Sequence, residues 1–239
     1  MDKLVFSEQK GWKKKITQNK ERKIYNFLNS HDLYQFVNEP LFKESVKGSE
    51  NVNYIDGFII TAYFSTRKLR RIPRLSGPEL MRDYFKDQKI SKEKRHFFIG
   101  FDKGDLEKFS KKFPYLDRKD IFAYNPSYIK ALKFPEEEIS KISKLINSKR
   151  IDCVWVGVGS PKQNILAKEI FRKTNAQTFF NIGAALDFIL GKKSRAPKWI
   201  QEIGFEWFYR MATDFNHSWK KVKKSFIANF YLMRYIELK

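Results

Sequence analysis

Up to Gly191, short runs of apolar residues alternate with segments whose apolar residues recur every three or four positions. The first pattern is typical of buried strands and the second of amphipathic helices. The predicted strands cover 23–29, 51–56, 95–101, 120–125, 153–158 and 178–183, and the predicted helices cover 31–46, 77–88, 105–113, 136–148, about 161–173 and 184–190. Pro40 is expected to start a new turn within the first helix. This alternation predicts an α/β protein with a Rossmann-like, mostly parallel sheet covered by helices.

The pattern changes after Gly191, where the chain reads as helical throughout and gives no strand signal. We therefore divide it into an α/β catalytic core, 1–191, and a helical C-terminal appendage, 192–239, and expect all strands to precede Gly191. One helical stripe in the appendage consists of Phe215, Trp219, Val222, Phe226 and Phe230, with lysines mostly off the stripe at Lys220, Lys221, Lys223 and Lys224. Such a helix either packs on the core or lies in a membrane interface with its lysines on anionic headgroups. The aromatic density in so basic a chain favours the membrane.

The charge of the chain says more about its partners than about its fold. The 239 residues carry a formal net charge of +21, which favours nucleic acid, an anionic membrane or phosphorylated substrates. No apolar stretch reaches the roughly 18 residues that span a bilayer, and the N-terminus lacks the apolar region of a signal peptide. The single cysteine, Cys153, lies within an apolar run and is expected to be a buried thiol. These features predict a cytoplasmic protein that meets a membrane only at its surface.

The stretch "CVWVGVGSPKQN" (153–164) raises the question of chemistry, because a buried strand ends in it with two glycines and several polar residues. Gly157 and Gly159 would let backbone N–H groups approach a ligand, and Pro161 suits the first position of a helix, whose N-terminus attracts anions. The loop lacks the Gly-Lys-Ser/Thr of a Walker A motif and the third glycine of the Rossmann fingerprint. A plain tight turn is the alternative. Gly100 ends another predicted strand, and Gly183 ends the last one.

Asp56 is the candidate general base, because it stands at a strand end, before Gly57, where a carboxylate can reach a ligand. The alternative is that it caps a helix. Arg70, Arg71 and Arg74 lie in an irregular segment marked by Pro73 and Gly77, and arginine binds phosphate well. A surface charge run is the alternative for these arginines.

Several catalytic signatures are missing from the sequence. It contains no Asp-x-Asp, no Gly-x-Ser-x-Gly elbow, and no His/Cys cluster with metal-ligand spacing, since His31, His96 and His217 are scattered. We expect no metal and no cofactor. A phosphate leaving group would then be neutralised by protein cations and helix N-termini.

Several motifs occur together in an order that is similar to the WecG/TagA/CpsF family of bacterial glycosyltransferases. They are "DG" (56–57), "RLSGPELM" (74–81), "FFIG" (97–100), "VGVGSPKQN" (156–164) and "NIGAALDFILGKKSRAPKWIQEIGFEWFYRM" (181–211). The resemblance runs from about residue 29 to 219. It implies inverting, metal-independent transfer of a sugar from a UDP-sugar to a sugar on undecaprenyl diphosphate, at the cytoplasmic membrane face during surface polysaccharide synthesis. It also implies a helical appendage that closes the active site.

Carried over by position, the resemblance implies a catalytic base at Asp56 and ligand contacts at Arg74 and Gln163. It places Arg195 and Arg210 near the leaving diphosphate. Where the family commonly has Glu-Pro-Arg-Arg, this chain has "DFNH" (214–217), with cations at Lys220 and Lys221 instead. The full set of expected substrate-binding residues is Asn29, Arg74, Gly77, Gly100, Gly157, Gly159, Ser160, Lys162, Gln163, Gly183, Arg195 and Arg210. The expected membrane-contacting residues are Trp219, Lys220, Lys221, Lys223, Lys224 and Phe226.

Two other functions are compatible with parts of the sequence. The charge would suit a nucleic-acid-binding protein, but the basic residues are spread through the chain and no recognised module occurs. A nucleotide-dependent oxidoreductase would suit the sheet, but its glycine fingerprint is absent. The resemblance favours the glycosyltransferase, with a UDP-sugar, a polyprenyl-diphosphate-linked acceptor and an anionic membrane surface as partners and no nucleic acid.

Overall fold

The computed structural model describes residues 2–8, 10–193, 196–197, 200, 224–225 and 227–239. The strands are β1 (Leu4–Phe6), β2 (Lys23–Leu28), β3 (Asn51–Ile55), β4 (His96–Ile99), β5 (Ile121–Tyr124), β6 (Cys153–Val156), β7 (Thr178–Asn181) and β8 (Ile236–Leu238). The helices are α1 (Trp12–Gln18), α2 (Ser30–Asn38), α3 (Pro40–Val46), α4 (Phe58–Lys68), α5 (Gly77–Lys86), α6 (Gln88–Ser91), α7 (Lys103–Lys112), α8 (Glu136–Ser148), α9 (Lys162–Lys173) and α10 (Ala185–Ile189).

Six strands form a parallel sheet in the order β3-β2-β7-β6-β4-β5, which confirms the predicted fold class. The strands are short, and the central strands β4, β6 and β7 are wholly buried because helices cover both faces. On one face, Tyr25, Trp155 and Phe180 stack in an aromatic core beneath α5, α7 and α10. On the other face, Val154 and Phe179 pack with the apolar residues of α8 and α9.

A third apolar cluster corrects the expectation that no strand follows Gly191. Strand β8 pairs in parallel with β1 at the register Leu4↔Ile236 and Phe6↔Leu238. Ala228, Ile236 and Leu238 are buried there with residues of α2, α3 and α4. The last residues of the chain are therefore part of the packed body, and a protein ending before residue 196 would lose core contacts. The earlier part of the predicted appendage falls largely outside the described residues.

Three helices, α1, α4 and α6, and the strands β1 and β8 were not among the predicted elements. Helix α1 is short and rich in lysine, with no buried residue. Helix α4 carries no charge until its last two residues, so its sequence shows no polar face. Within the described ranges, no helix is long and apolar enough to cross a bilayer.

Candidate functional site

The carboxyl ends of the parallel strands bring most of the predicted site residues to one edge of the sheet. Asn29 follows β2, Asp56 follows β3, Gly100 follows β4, Gly157 follows β6, and Gly183 lies just after β7. Ligands of open α/β sheets bind at this edge. The loops that carry these residues also contact one another.

Asp56 stands between the end of β3 and the start of α4. Its N–H donates to the carbonyl of Leu28 at 2.9 Å, which ties it to the end of β2. The N-cap of α4 is Gly57 and receives no side-chain cap, so the alternative that Asp56 caps this helix is wrong. Gly57 packs closely against the start of α2, because a Cβ there would lie 3.3 Å from Asn29 Cα. Asp56 is thus partly exposed at the sheet edge, next to the N-terminus of α4.

Asn29 begins α2 and links it to the glycine-rich loop through Asp32. The Asn29 Oδ1 accepts N–H groups of His31 at 2.9 Å and Asp32 at 3.4 Å, and the Asn29 N–H donates to Asp32 in return. The Ser160 hydroxyl donates to the second carboxylate oxygen of Asp32. Asn29 and Ser160 therefore have structural partners, and substrate contacts by them remain predictions.

Arg74 is held close to the end of β3 by the backbone that follows it. The Leu75 N–H donates to the Ile55 carbonyl at 3.0 Å, one residue before Asp56. The Arg74 guanidinium lies 3.7 Å from Glu79, whose other oxygen accepts from Ser76 at the N-cap of α5. In contrast, Arg70 and Arg71 are exposed, and Arg70 pairs with Glu8. Of the three arginines, Arg74 is the one that the fold brings to the sheet edge.

The glycines of the site serve different structural purposes. Gly77 is buried, and a Cβ there would lie 2.9 Å from the Ile182 carbonyl oxygen. A Cβ added at Gly157 would lie 3.2 Å from the Gly183 carbonyl oxygen, so Gly157 packs closely against the loop that follows β7. Gly100 has a φ of +106° and approaches Gly157. Gly159 has a φ of +86° and no atom within 4 Å of the position of a Cβ, so it combines a left-handed backbone with room for a ligand.

The polar side chains of the loop make internal contacts that the sequence did not reveal. The Gln163 Oε1 accepts the Gly183 N–H at 2.9 Å, and Gln163 is only 4% exposed. The Lys162 ammonium donates to the Ile129 carbonyl and lies over the Tyr128 ring. These contacts fix the loop, while a direct contact of either side chain with a ligand remains a prediction.

A buried asparagine network, which sequence reasoning missed, positions the start of α9. At its centre is Asn26, fully buried in β2. Its Nδ2 donates to Asn51 and Asn53 at 3.0 and 2.9 Å, and its Oδ1 accepts from Asn164 and Asn181 at 2.9 and 2.7 Å. Because one amide bonds to residues of β3, β7 and α9, it fixes the first turn of α9 against the sheet. Polar residues within otherwise apolar strands were the available signal.

Among the described residues, no group of three His, Cys, Asp or Glu side chains could hold a metal ion. His96 and Cys153 lie in the core. The His96 Nδ1 accepts from Trp155 at 3.3 Å, its Nε2 bonds to the Ser91 carbonyl at 2.9 Å, and burial lowers its pKa to about 4. Burial raises the pKa of the Cys153 thiol to about 12. Both are structural groups.

Some predicted residues lie outside the described ranges: Arg195, Arg210, Trp219, Lys220, Lys221, Lys223 and Phe226. Lys224 is described, and its ammonium lies 5.1 Å from the centre of the Tyr34 ring on α2. That contact agrees both with a tail that packs on the core and with a tail that lies on a membrane.

Comparison with known proteins identifies the family. The profile of the glycosyl transferase WecG/TagA/CpsF family matches residues 1–238. The chain is similar to the N-acetylglucosaminyldiphosphoundecaprenol N-acetyl-beta-D-mannosaminyltransferases of Staphylococcus aureus. It is 24% identical to that of strain MRSA252 and 25% identical to that of strain NCTC 8325, in each case over 87% of this chain and 73% of the relative. The match confirms the resemblance found in the motifs: the chain belongs to the WecG/TagA/CpsF family and is a glycosyltransferase.

Proposed function

We propose that the protein transfers a sugar from a UDP-sugar to a sugar carried on a polyprenyl diphosphate, with inversion at the anomeric carbon. The names of the relatives support the acceptor class, because they describe transfer of N-acetylmannosamine to N-acetylglucosaminyl-diphosphoundecaprenol. Such lipid-linked sugars are precursors of surface polysaccharides, which is the process we assign to this chain. The reaction needs no cofactor and no divalent metal.

The observation that carries the proposal is the position of Asp56. Asp56 lies at the carboxyl edge of the sheet, directly before the N-cap of α4, and one residue beyond the Ile55 carbonyl that accepts the N–H of Leu75, next to Arg74. A base and a cation are thereby held at the same end of β3. An inverting transfer needs both, one for the attacking hydroxyl and the other for the departing diphosphate.

The chemical step follows from these positions. The Asp56 carboxylate accepts the proton of the acceptor hydroxyl as its oxygen bonds to the anomeric carbon of the donor. The bond from that carbon to the UDP oxygen breaks, and its electron pair leaves with UDP. Attack from the face opposite the leaving group inverts the configuration. Arg74 stabilises the developing charge, and we assign Arg195 and Arg210 the same role.

The acceptor class also suggests where the enzyme works. A polyprenyl diphosphate is anchored in a bilayer, so the catalytic edge must reach the membrane surface. We propose that the protein is peripheral on the cytoplasmic face, with the aromatic and lysine-rich segment around residues 215–230 contributing to docking.

A direct assay tests the proposed reaction. The full chain is incubated with individual UDP-sugars and a short-chain polyprenyl diphosphate carrying N-acetylglucosamine, and the lipid product is measured by mass. The proposal predicts a product one sugar heavier, formed together with free UDP and only when both substrates are present. Lack of product with every UDP-sugar, from protein with a native circular dichroism spectrum, would contradict it. Tight binding of an oligonucleotide or of NADH would favour the other two functions.

A further inference from the structure

Helix α4 presents an apolar face to solvent, although the chain as a whole is highly charged. Its buried side is formed by Ile60 and Phe64. The opposite side carries Phe58 and Ile59, which are 45% and 42% exposed, and the exposed residues Ala62 and Thr66. These four positions fall within one third of the helix circumference and include no charge. Over its 11 residues the helix is ~16 Å long, so this stripe is a continuous uncharged surface.

The turn that follows α4 holds a leucine outward. Leu69 is 92% exposed and adopts a left-handed backbone with a φ of 49°. Leucine rarely adopts this conformation, which costs roughly 1–2 kcal/mol. Hydrogen bonds on both sides fix the turn. The Leu69 N–H donates to Thr66, and Ile72, which is buried, donates its N–H to the Ser65 hydroxyl at 2.9 Å.

Cations surround this exposed leucine, and carboxylates are scarce around it. Between Asp56 and Glu79 the sequence contains no acidic residue and five cations. Arg67, Lys68, Arg70 and Arg71 are all exposed. Among the described residues, one carboxylate, Glu8, lies within ion-pair distance of these four cations, and it pairs with Arg70. Arg67 donates to the Tyr63 hydroxyl at 3.0 Å and lies 5.5 Å from the centre of the Tyr63 ring, and this neutral partner leaves the net charge of the arginine in place.

We infer that the exposed stripe of α4 and the turn 67–71 form a surface that docks on an anionic lipid bilayer. Phe58, Ile59 and Leu69 would enter the boundary between headgroups and acyl chains, while the neighbouring cations contact phosphates. Nucleic acid would match the cations but not three exposed apolar side chains. The residues of this surface, 58–71, are distant in sequence from the aromatic segment of the tail, and the exposure and charge that define the surface do not depend on the proposed reaction.

This surface would also orient the site. Asp56 stands two residues before Phe58, so docking of α4 brings the candidate base to the membrane. An acceptor sugar on a lipid diphosphate would reach Asp56 without leaving the bilayer surface.

Leu69→Asn provides the sharpest test, because asparagine tolerates the left-handed backbone but is polar. We expect its free energy of unfolding to equal or exceed that of the unchanged protein. Its binding to vesicles of phosphatidylcholine and phosphatidylglycerol should be ~10-fold weaker, as expected when one leucine is no longer buried. Equal vesicle binding by the two proteins would overturn the inference.

A charge variant tests the electrostatic part separately. Arg67→Gln/Lys68→Gln should weaken binding to the anionic vesicles by about 20–30-fold, since each cation near such a surface contributes about a factor of five. It should have little effect on pure phosphatidylcholine vesicles. The matched control is Lys108→Gln/Lys111→Gln on α7, which removes two exposed lysines from a helix that packs in a different apolar cluster from α4 and should bind nearly normally. Equal losses in both double variants would mean that only net charge matters, and would overturn the inference.

Two further measurements distinguish membrane docking from a catalytic effect and from contact between two copies of the chain. Transfer to a water-soluble short-chain acceptor should be the same for Leu69→Asn as for the original protein. If the proposed reaction is wrong, the original protein will itself show no transfer, and the vesicle measurements will still test the docking surface. Sedimentation velocity without lipid should give the same mass distribution for both proteins. If Leu69→Asn instead disrupted a dimer and bound vesicles normally, the surface would be a contact between two copies and the inference would be wrong.

Discussion

Replacing Gly77 by alanine tests whether the loops at the sheet edge are packed as described. A Cβ at this position would lie 2.9 Å from the carbonyl oxygen of Ile182 and 3.0 Å from its Cα. Carbon atoms in good contact are about 3.5–4.0 Å apart, so the backbone would have to move by about 0.5 Å. Overpacking of this kind costs about 1–3 kcal/mol. The intrinsic helical preference for alanine offsets at most ~1 kcal/mol of it.

Gly104→Ala is the matched control. Both glycines lie in the first turn of a ten-residue helix that begins with a capping box, Gly77 in α5 and Gly104 in α7. The Cβ of Gly104→Ala would have its nearest contact at 3.4 Å, with the Asp102 side chain. It should therefore leave the free energy of unfolding unchanged or raise it by up to ~1 kcal/mol.

Urea unfolding followed by circular dichroism measures both variants. We expect Gly77→Ala to be destabilised by about 1–2 kcal/mol and to lose transferase activity, because the Gly183 N–H of the displaced Ile182–Gly183 segment donates to Gln163. If Gly77→Ala were as stable as the unchanged protein, or if Gly104→Ala were destabilised equally, the described packing of the edge would be incorrect.

Three further predictions concern a buried histidine, the single cysteine and divalent metal ions. The pKa of His96 in the folded protein, about 4, lies below its ordinary value of 6.5. The neutral imidazole therefore contributes stability that is complete above pH 6.5 and is lost as the pH falls to about 4. This contribution amounts to about 3 kcal/mol. The free energy of unfolding, measured in urea at pH 7 and at pH 5, should fall between the two pH values, and it should fall less in His96→Gln. An equal fall in both proteins would contradict the lowered pKa of His96. Cys153 should react with a thiol reagent only after unfolding in guanidinium chloride, with one thiol titrated per chain. Rapid reaction of the native protein would show that the thiol is accessible. Transferase activity should survive excess EDTA, whereas a loss restored by Mg²⁺ or Mn²⁺ would show that a metal neutralises the diphosphate.

The sheet could be predicted because its strands are short apolar runs separated by helices with clear polar faces. Helix α8, for example, was predicted with its observed bounds, 136–148, since its acidic first turn and apolar spacing agree. The edge position of Asp56 also followed from the sequence, because parallel strands end at one edge. These features depend on local pattern and on a general rule of α/β topology.

The parts that could not be predicted depend on contacts between distant segments. Strand β8 has three residues and pairs with β1 at the opposite end of the chain, so no local pattern marks it. Helix α4 was missed because its exposed side is apolar, which removes the polar face that identifies a surface helix. The hydrogen bonds from Ser160 to Asp32 and from Gly183 to Gln163 likewise join residues far apart in sequence.

The central claim is that Asp56 is the base of a sugar transfer, and the turnover of Asp56→Asn tests it most directly. This variant keeps the shape of the side chain and removes the proton acceptor, which should lower kcat by ~10²–10⁴-fold with the fold and UDP binding little changed. The control is Asp83→Asn, an equivalent change on α5 away from the edge, and it should keep normal turnover. An Asp56→Asn enzyme that retained turnover close to that of Asp83→Asn, in the assay with UDP-sugar and polyprenyl-diphosphate acceptor, would contradict the assignment of Asp56 as the base.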